Sequence, residues 1–141
     1  MRGFTLTGAL LVCFQLLPSL SVHAADSLYD RLGGKPVMTG IVKQTIALVA
    51  NDPRVNQSFD QINIEKLNQK IVEHLCSISG GGCVYTGDDM KRVHQGLKIN
   101  ERAFYALVEA LQHSLDQHGV GEREKNELLF ILAPMKRLIV E

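Results

Sequence analysis

Five histidines and three cysteines are the side chains of this 141-residue sequence best suited to holding a metal, and their spacing excludes most of what such residues do. No His-x-x-His or Cys-x-x-Cys pair occurs, so an ordinary zinc site, which wants about four protein ligands, has no framework. His94 stands alone in "DDMKRVHQGLKIN", Asp88 to Asn100. His74, His113 and His118 lie on other predicted helices, and His118 suits the C-terminal dipole of its own. Cys76 and Cys83 flank "SISGGG", a flexible stretch across which a disulfide can close, and such a bridge would add about 2–3 kcal/mol. Two unpaired thiols are the other reading of that pair. Nothing here resembles a nucleic-acid footprint: Lys and Arg number 15 against 15 Asp and Glu, with no basic cluster.

The elements that must position these residues are helical. No run alternates with period two, and apolar residues recur instead at helical spacing. Leu28 to Leu32 reads as an opening turn stopped by Gly33-Gly34, and Pro36 suits the first turn of a helix to about Asn51. Asp52-Pro53 starts a short connection through Val55 and Phe59. Ile64, Leu67, Ile71, Leu75 and Ile78 give one continuous face to a helix from about Asn63 to Ser79, ended by the glycines at 80–82. A short helix from Asp88 or Asp89 to about Gln95 follows. Asn100 caps the next, which carries Phe104, Val108, Leu111 and Leu115 and stops at Gly119. The last is expected from Glu122 to Val140, kinked by Pro134, with Leu128, Ile131, Leu132, Met135, Leu138 and Ile139 on its apolar face. The fold class is all-α, with four longer helices and short connecting ones.

The first residues differ. "MRGFTLTGALLVCFQLLPSLSVHAADS" has a basic head at Arg2, an apolar run to about Leu20 and a small-residue exit, the pattern of a secretory signal. Gly8, Gln15 and Pro18 interrupt the run and weigh against a permanent membrane span. The expected organisation is a removed signal over residues 1–24 and one domain over 25–141, exported to an oxidising compartment such as the bacterial periplasm. Cys13 would leave with the signal.

Met90, Val93, His94 and Leu97 sit at i, i+3, i+4 and i+7, so His94 shares a helix face with apolar residues. A lone inward histidine is commonly a hydrogen-bonded core residue. One solitary ligand does suffice where a porphyrin supplies four equatorial nitrogens and the protein one axial imidazole. Phe59, Phe104 and several amphipathic helices could line the flat apolar cavity required. With no Cys-x-x-Cys-His, such a haem would be held non-covalently.

Along the chain, "LYDRLGG" (Leu28–Gly34), "NDPRV" (Asn51–Val55), Phe59, "GG" before "YTG" (Tyr85–Gly87), "MKRVHQGLKI" (Met90–Ile99), Phe104 and "LAPMK" (Leu132–Lys136) stand in the order of the group one truncated haemoglobins, and the sequence resembles that family over residues 27–141. The resemblance implies a two-over-two helical globin fold, one b-type haem per chain and His94 as the proximal iron ligand. It implies that Phe59 packs on the haem, that Leu67, Ile71 and Leu75 form the distal face, and that Met90, Val93, Ile99 and Phe104 surround the proximal side. The expected function is binding of a diatomic gas: oxygen, nitric oxide or carbon monoxide. The chain would be a monomer or weak dimer, with no membrane partner once the signal is removed.

The distal side departs from the family. Many members carry a Phe-Tyr pair where Thr45 and Ile46 stand here, and many place Gln at the position of Ile71. A hydrogen bond to bound oxygen is worth about 1.5–3 kcal/mol if charge-assisted, so its loss would speed oxygen release roughly 10- to 100-fold. Lys70 flanks the same face. Its stem would cover apolar surface while the ammonium meets solvent or a haem propionate. Alternatively it could be a sixth, internal iron ligand, which requires the neutral amine at a cost of about 4–5 kcal/mol at pH 7. Other functions stay open: nitric oxide or peroxide detoxification, which would need an external electron donor because no flavin or nicotinamide motif is present; a redox or gas sensor using Cys76 and Cys83; or a globin that no longer binds haem.

Overall fold

Side-chain caps set the helix starts. In the computed structural model, which describes residues 26–59 and 61–141, Ser27 accepts from Asp30 N at 3.1 Å while the Asp30 carboxylate accepts from Ser27 N at 3.2 Å, closing a capping box at helix α1 (Leu28–Arg31). The expected signal over 1–24 and Cys13 lie outside the described residues. Asn63, Asp89 and Asn100 each accept from the backbone N–H three residues on, at 2.9, 3.0 and 2.9 Å, and begin α3 (Ile64–Ile78), α4 (Met90–His94) and α5 (Glu101–Gln117).

Helix α2 (Gly34–Ala50) starts without such a cap, from Gly33 at φ +96°. A Cβ at Gly33 would meet Val37 Cγ2 at 2.5 Å. Gly33→Ala therefore combines a left-handed penalty of about 1–2 kcal/mol with a clash. Gly119 has φ +71° but open space around it. The expected result is that Gly33→Ala lowers the denaturant midpoint clearly more than Gly119→Ala; equal shifts would remove the packing argument.

Helix α2 is the centre of the molecule. It buries Met38, Ile41, Val42, Thr45, Ile46 and Val49 and packs on both α3 and α5. The small Ala103 and Ala106 are the buried residues of the first half of α5. Leu75 of α3, Leu115 of α5 and Leu128 of α6 (Glu122–Leu132) join the same core as Leu28 and Leu32. The result is two layers of helices, with no strand among the described residues and no helix there long and apolar enough to cross a membrane. Arg31 pins the opening turn to α6 through ion pairs with Glu124, at 3.3 Å, and Glu127.

The last expected helix is two. Pro134 lacks an N–H and crowds the preceding turn, and the chain passes through a 3₁₀ turn, Ala133–Met135, before α7 (Lys136–Ile139). This is a break rather than the expected kink. The two ends of the segment no longer share one apolar stripe: Leu128 and Ile139 are buried, whereas Leu138 is 48% exposed.

Candidate functional site

His94 ends the short α4, and its ring orientation follows from one hydrogen bond. Nδ1 lies 2.7 Å from the carbonyl oxygen of Met90, one turn earlier. A carbonyl only accepts, so Nδ1 carries the proton, and in the neutral ring Nε2 keeps its lone pair, the form in which histidine ligates a metal. Among the described residues the ring makes no other hydrogen bond. The segment after α4 is tied down from the far end of the chain. The Glu141 carboxylate accepts from Gly96 N at 2.7 Å and Lys98 N at 2.9 Å, and Glu141 N donates to Ile99 O at 2.9 Å. Gly96 and Lys98 both have positive φ, and their two amides converge on the carboxylate as an anion nest. These bonds are solvent-exposed, so Glu141→Ala is expected to cost only about 1 kcal/mol. It should speed hydrogen exchange at the Gly96 and Lys98 amides; unchanged exchange there would refute the clamp.

The other named residues come from three directions. Ile46 of α2, Leu67, Ile71 and Leu75 of α3, and Phe59 and Ile99 belong to one apolar cluster. Phe59 is delivered by the Asn51–Val55 corner, where Asp52 accepts from Arg54 N at 2.8 Å and Arg54 reaches Glu109 of α5 at 2.9 Å. The Arg54 guanidinium holds the Asp52 carboxyl below the usual carboxylate range. Phe59 also borders an open cavity of about 550 Å³, walled with Ala50, Asn56, Gln57 and Ile64; His94 is not part of that wall. Met90 and Phe104 are half-buried. Val93 is 41% exposed and Leu97 38%, so the apolar edge beside His94 is not covered by the chain itself.

Thr45 is buried, and its hydroxyl donates to the Ile41 carbonyl at 2.8 Å, so that donor is committed to its own helix. Lys70 is engaged as well: its ammonium donates to Glu73 at 2.8 Å and to the Thr86 hydroxyl. Lys70 and Thr86 together hold the Glu73 carboxyl below its ordinary range. Cys76 and Cys83 are joined in a disulfide, with Cα atoms 5.7 Å apart. Sequence reasoning missed His74. Its ring meets Tyr85 edge-on, with centroids 4.9 Å apart, and its Nε2 is buried without a hydrogen-bond partner among the described residues. The available signal was spacing: His74 follows Leu67 by seven residues and Ile71 by three.

Residues 27–141 match the family described as bacterial-like globin. The chain belongs to that family. Within it, this globin is 33% identical over 109 residues to the group 1 truncated hemoglobin GlbN of Mycolicibacterium paratuberculosis, covering 77% of this chain and 80% of the relative. It is 28% identical over 106 residues to the group 1 truncated hemoglobin of Tetrahymena pyriformis, covering 75% and 88%. The crystal structure of the latter in its Fe(III) form superposes with a TM-score of 0.78, covering 82% of this chain and 98% of that one at 24% identity. The truncated globin fold, two helices over two, is thereby shared. Globin membership brings haem and gas-ligand binding with it. The residues of this chain fit such a group: an imidazole with a free Nε2, apolar side chains at Val93 and Leu97 that the chain leaves uncovered, and a second buried imidazole nitrogen without a protein partner.

Proposed function

We propose that this globin holds one non-covalent haem b per chain, with His94 Nε2 as the proximal iron ligand, and binds a diatomic gas on the opposite face. The observation that carries this reading is the Nδ1–H bond from His94 to the Met90 carbonyl, which leaves Nε2 as a ligand at a fixed ring angle. When bound, the haem would supply the iron that takes the gas. The chain's residues orient it and exclude water: Met90, Val93, Ile99 and Phe104 on the proximal side, Phe59, Leu67, Ile71 and Leu75 on the distal side. Thr45 and Ile46 line the distal pocket without offering a donor. Titration of the haem-free protein with ferric haem is expected to give a Soret band saturating at one haem per chain, and acid-ketone extraction should return unmodified haem. A titration with no saturable band would overturn the reading.

We also propose that the chain is exported to the periplasm as a monomer or weak dimer. Support comes from the signal-like opening of the sequence and from the Cys76–Cys83 bridge, which persists in oxidising compartments.

A further inference from the structure

Two buried side-chain polar atoms lack a hydrogen-bond partner among the described residues: Asn68 Oδ1 and His74 Nε2. An orphaned buried polar atom in a well-packed protein calls for a partner. Asn68 Oδ1 is an amide oxygen and only accepts. His74 Nε2 can donate, and its place is specific. His74 shares the α3 face of Leu67 and Ile71, the face directed at the apolar cluster. Tyr85 fixes the ring edge-on, while its own hydroxyl donates to the Asp88 carbonyl at 2.9 Å and is not available to His74. Burial pushes His74 below the ordinary histidine range, which favours the neutral ring with a proton on one nitrogen.

The other residues read as distal offer no free donor. Thr45 donates to Ile41, Lys70 is held by Glu73 and Thr86, and Ile46, Leu67 and Ile71 have nothing to donate. We infer that His74 is the distal hydrogen-bond donor of this globin: its Nε2–H meets the gas held opposite His94 and sets the preference for dioxygen over carbon monoxide. The inference rests on the haem-binding reading above. It also revises the expectation of a distal side without donors, by placing one a turn beyond Ile71.

The test uses the haem-loaded protein and three variants, His74→Leu, His74→Phe and His74→Gln, each first checked for stoichiometric haem uptake. In His74→Leu, oxygen dissociation is expected to speed roughly 10- to 100-fold, because a charge-assisted hydrogen bond is lost. Carbon monoxide dissociation should change less than about threefold, since that ligand is less polar when bound. The infrared C–O stretch should move to higher frequency, a shift that a merely structural role would not produce. His74→Gln, which retains a donor, should recover at least half of the lost oxygen retention on a logarithmic scale. If His74→Leu takes up no haem, His74→Phe, which also lacks a donor, is read in its place: faster oxygen release with a higher C–O stretch supports the donor, and no change in either refutes it. Normal haem uptake with oxygen dissociation in His74→Leu within threefold of wild type overturns the assignment and leaves the haem reading standing. Failure of the wild-type chain to take up haem removes both.

Discussion

His94→Ala is expected to destroy high-affinity haem retention, and added imidazole is expected to restore it in part. On the proposed reading the variant deletes a ligand atom, not an outer partner. Outer-shell changes alone cost metal sites roughly 10- to 100-fold in affinity, so loss of the ligand itself should exceed that. The substitution also leaves a cavity of imidazole shape beside Met90, whose carbonyl remains in place to accept the N–H of a free imidazole. Two measurements check this: the rate of haem transfer to an excess of a second haem-free globin, and the ferric and ferrous absorption spectra with and without imidazole. Faster transfer, reversed by imidazole, supports His94 as the axial ligand. An unchanged spectrum and transfer rate would place the ligand elsewhere. Because α4 is short and buries none of its residues, the fold should survive the change.

The helix limits were legible because local chemistry sets them. Asn63 and Asn100 cap where the sequence places them, and of the expected α3 stripe Leu67, Ile71, Leu75 and Ile78 pack on the core while Ile64 is 39% exposed. Pro134 shows the limit of that reasoning. Its missing N–H was visible, but whether the chain bends or restarts depends on the neighbours that hold each half, and here the second half is held beside α4. Thr45 was identified, yet the direction of its hydroxyl is a rotamer choice, settled by the Ile41 carbonyl one turn back. His74 was overlooked for a different reason. A search for metal ligands rewards clusters of histidine and cysteine, and His74 has none in sequence. What distinguishes it is a buried Nε2 with no hydrogen-bond partner among the described residues, which no spacing rule reports. His94 itself needed both sources: periodicity put it on an apolar edge, and only the Met90 hydrogen bond shows which nitrogen is free.

Breaking the Cys76–Cys83 bridge is expected to lower the unfolding free energy by about 2–3 kcal/mol, as a short closed loop allows. That corresponds to roughly 10 °C in Tm for a domain of this size. Cys83→Ser is the cleaner probe, because Cys83 is exposed whereas Cys76 is fully buried and a serine there would bury a hydroxyl. Thiol reduction of the wild type should reproduce the loss, and should add nothing in Cys83→Ser. Equal stability of Cys83→Ser and the oxidised wild type would show that the bridge contributes nothing to the fold. The effect should also spread along the chain. The bridge anchors the end of α3 to the loop that brings Tyr85 against His74 and Thr86 onto Lys70 and Glu73. Gly81 in that loop admits no side chain, since a Cβ there would meet Cys76 Sγ and Tyr29 at 2.6 Å. The loop runs directly into α4, so a chain freed at residue 83 loosens His74 and His94 together. Hydrogen exchange should therefore rise across residues 80–94 on reduction, and haem loss should quicken with it. Faster exchange confined to the glycines would mean that Tyr85 and Thr86 hold the loop without the sulfurs, and haem retention would then be independent of thiol state.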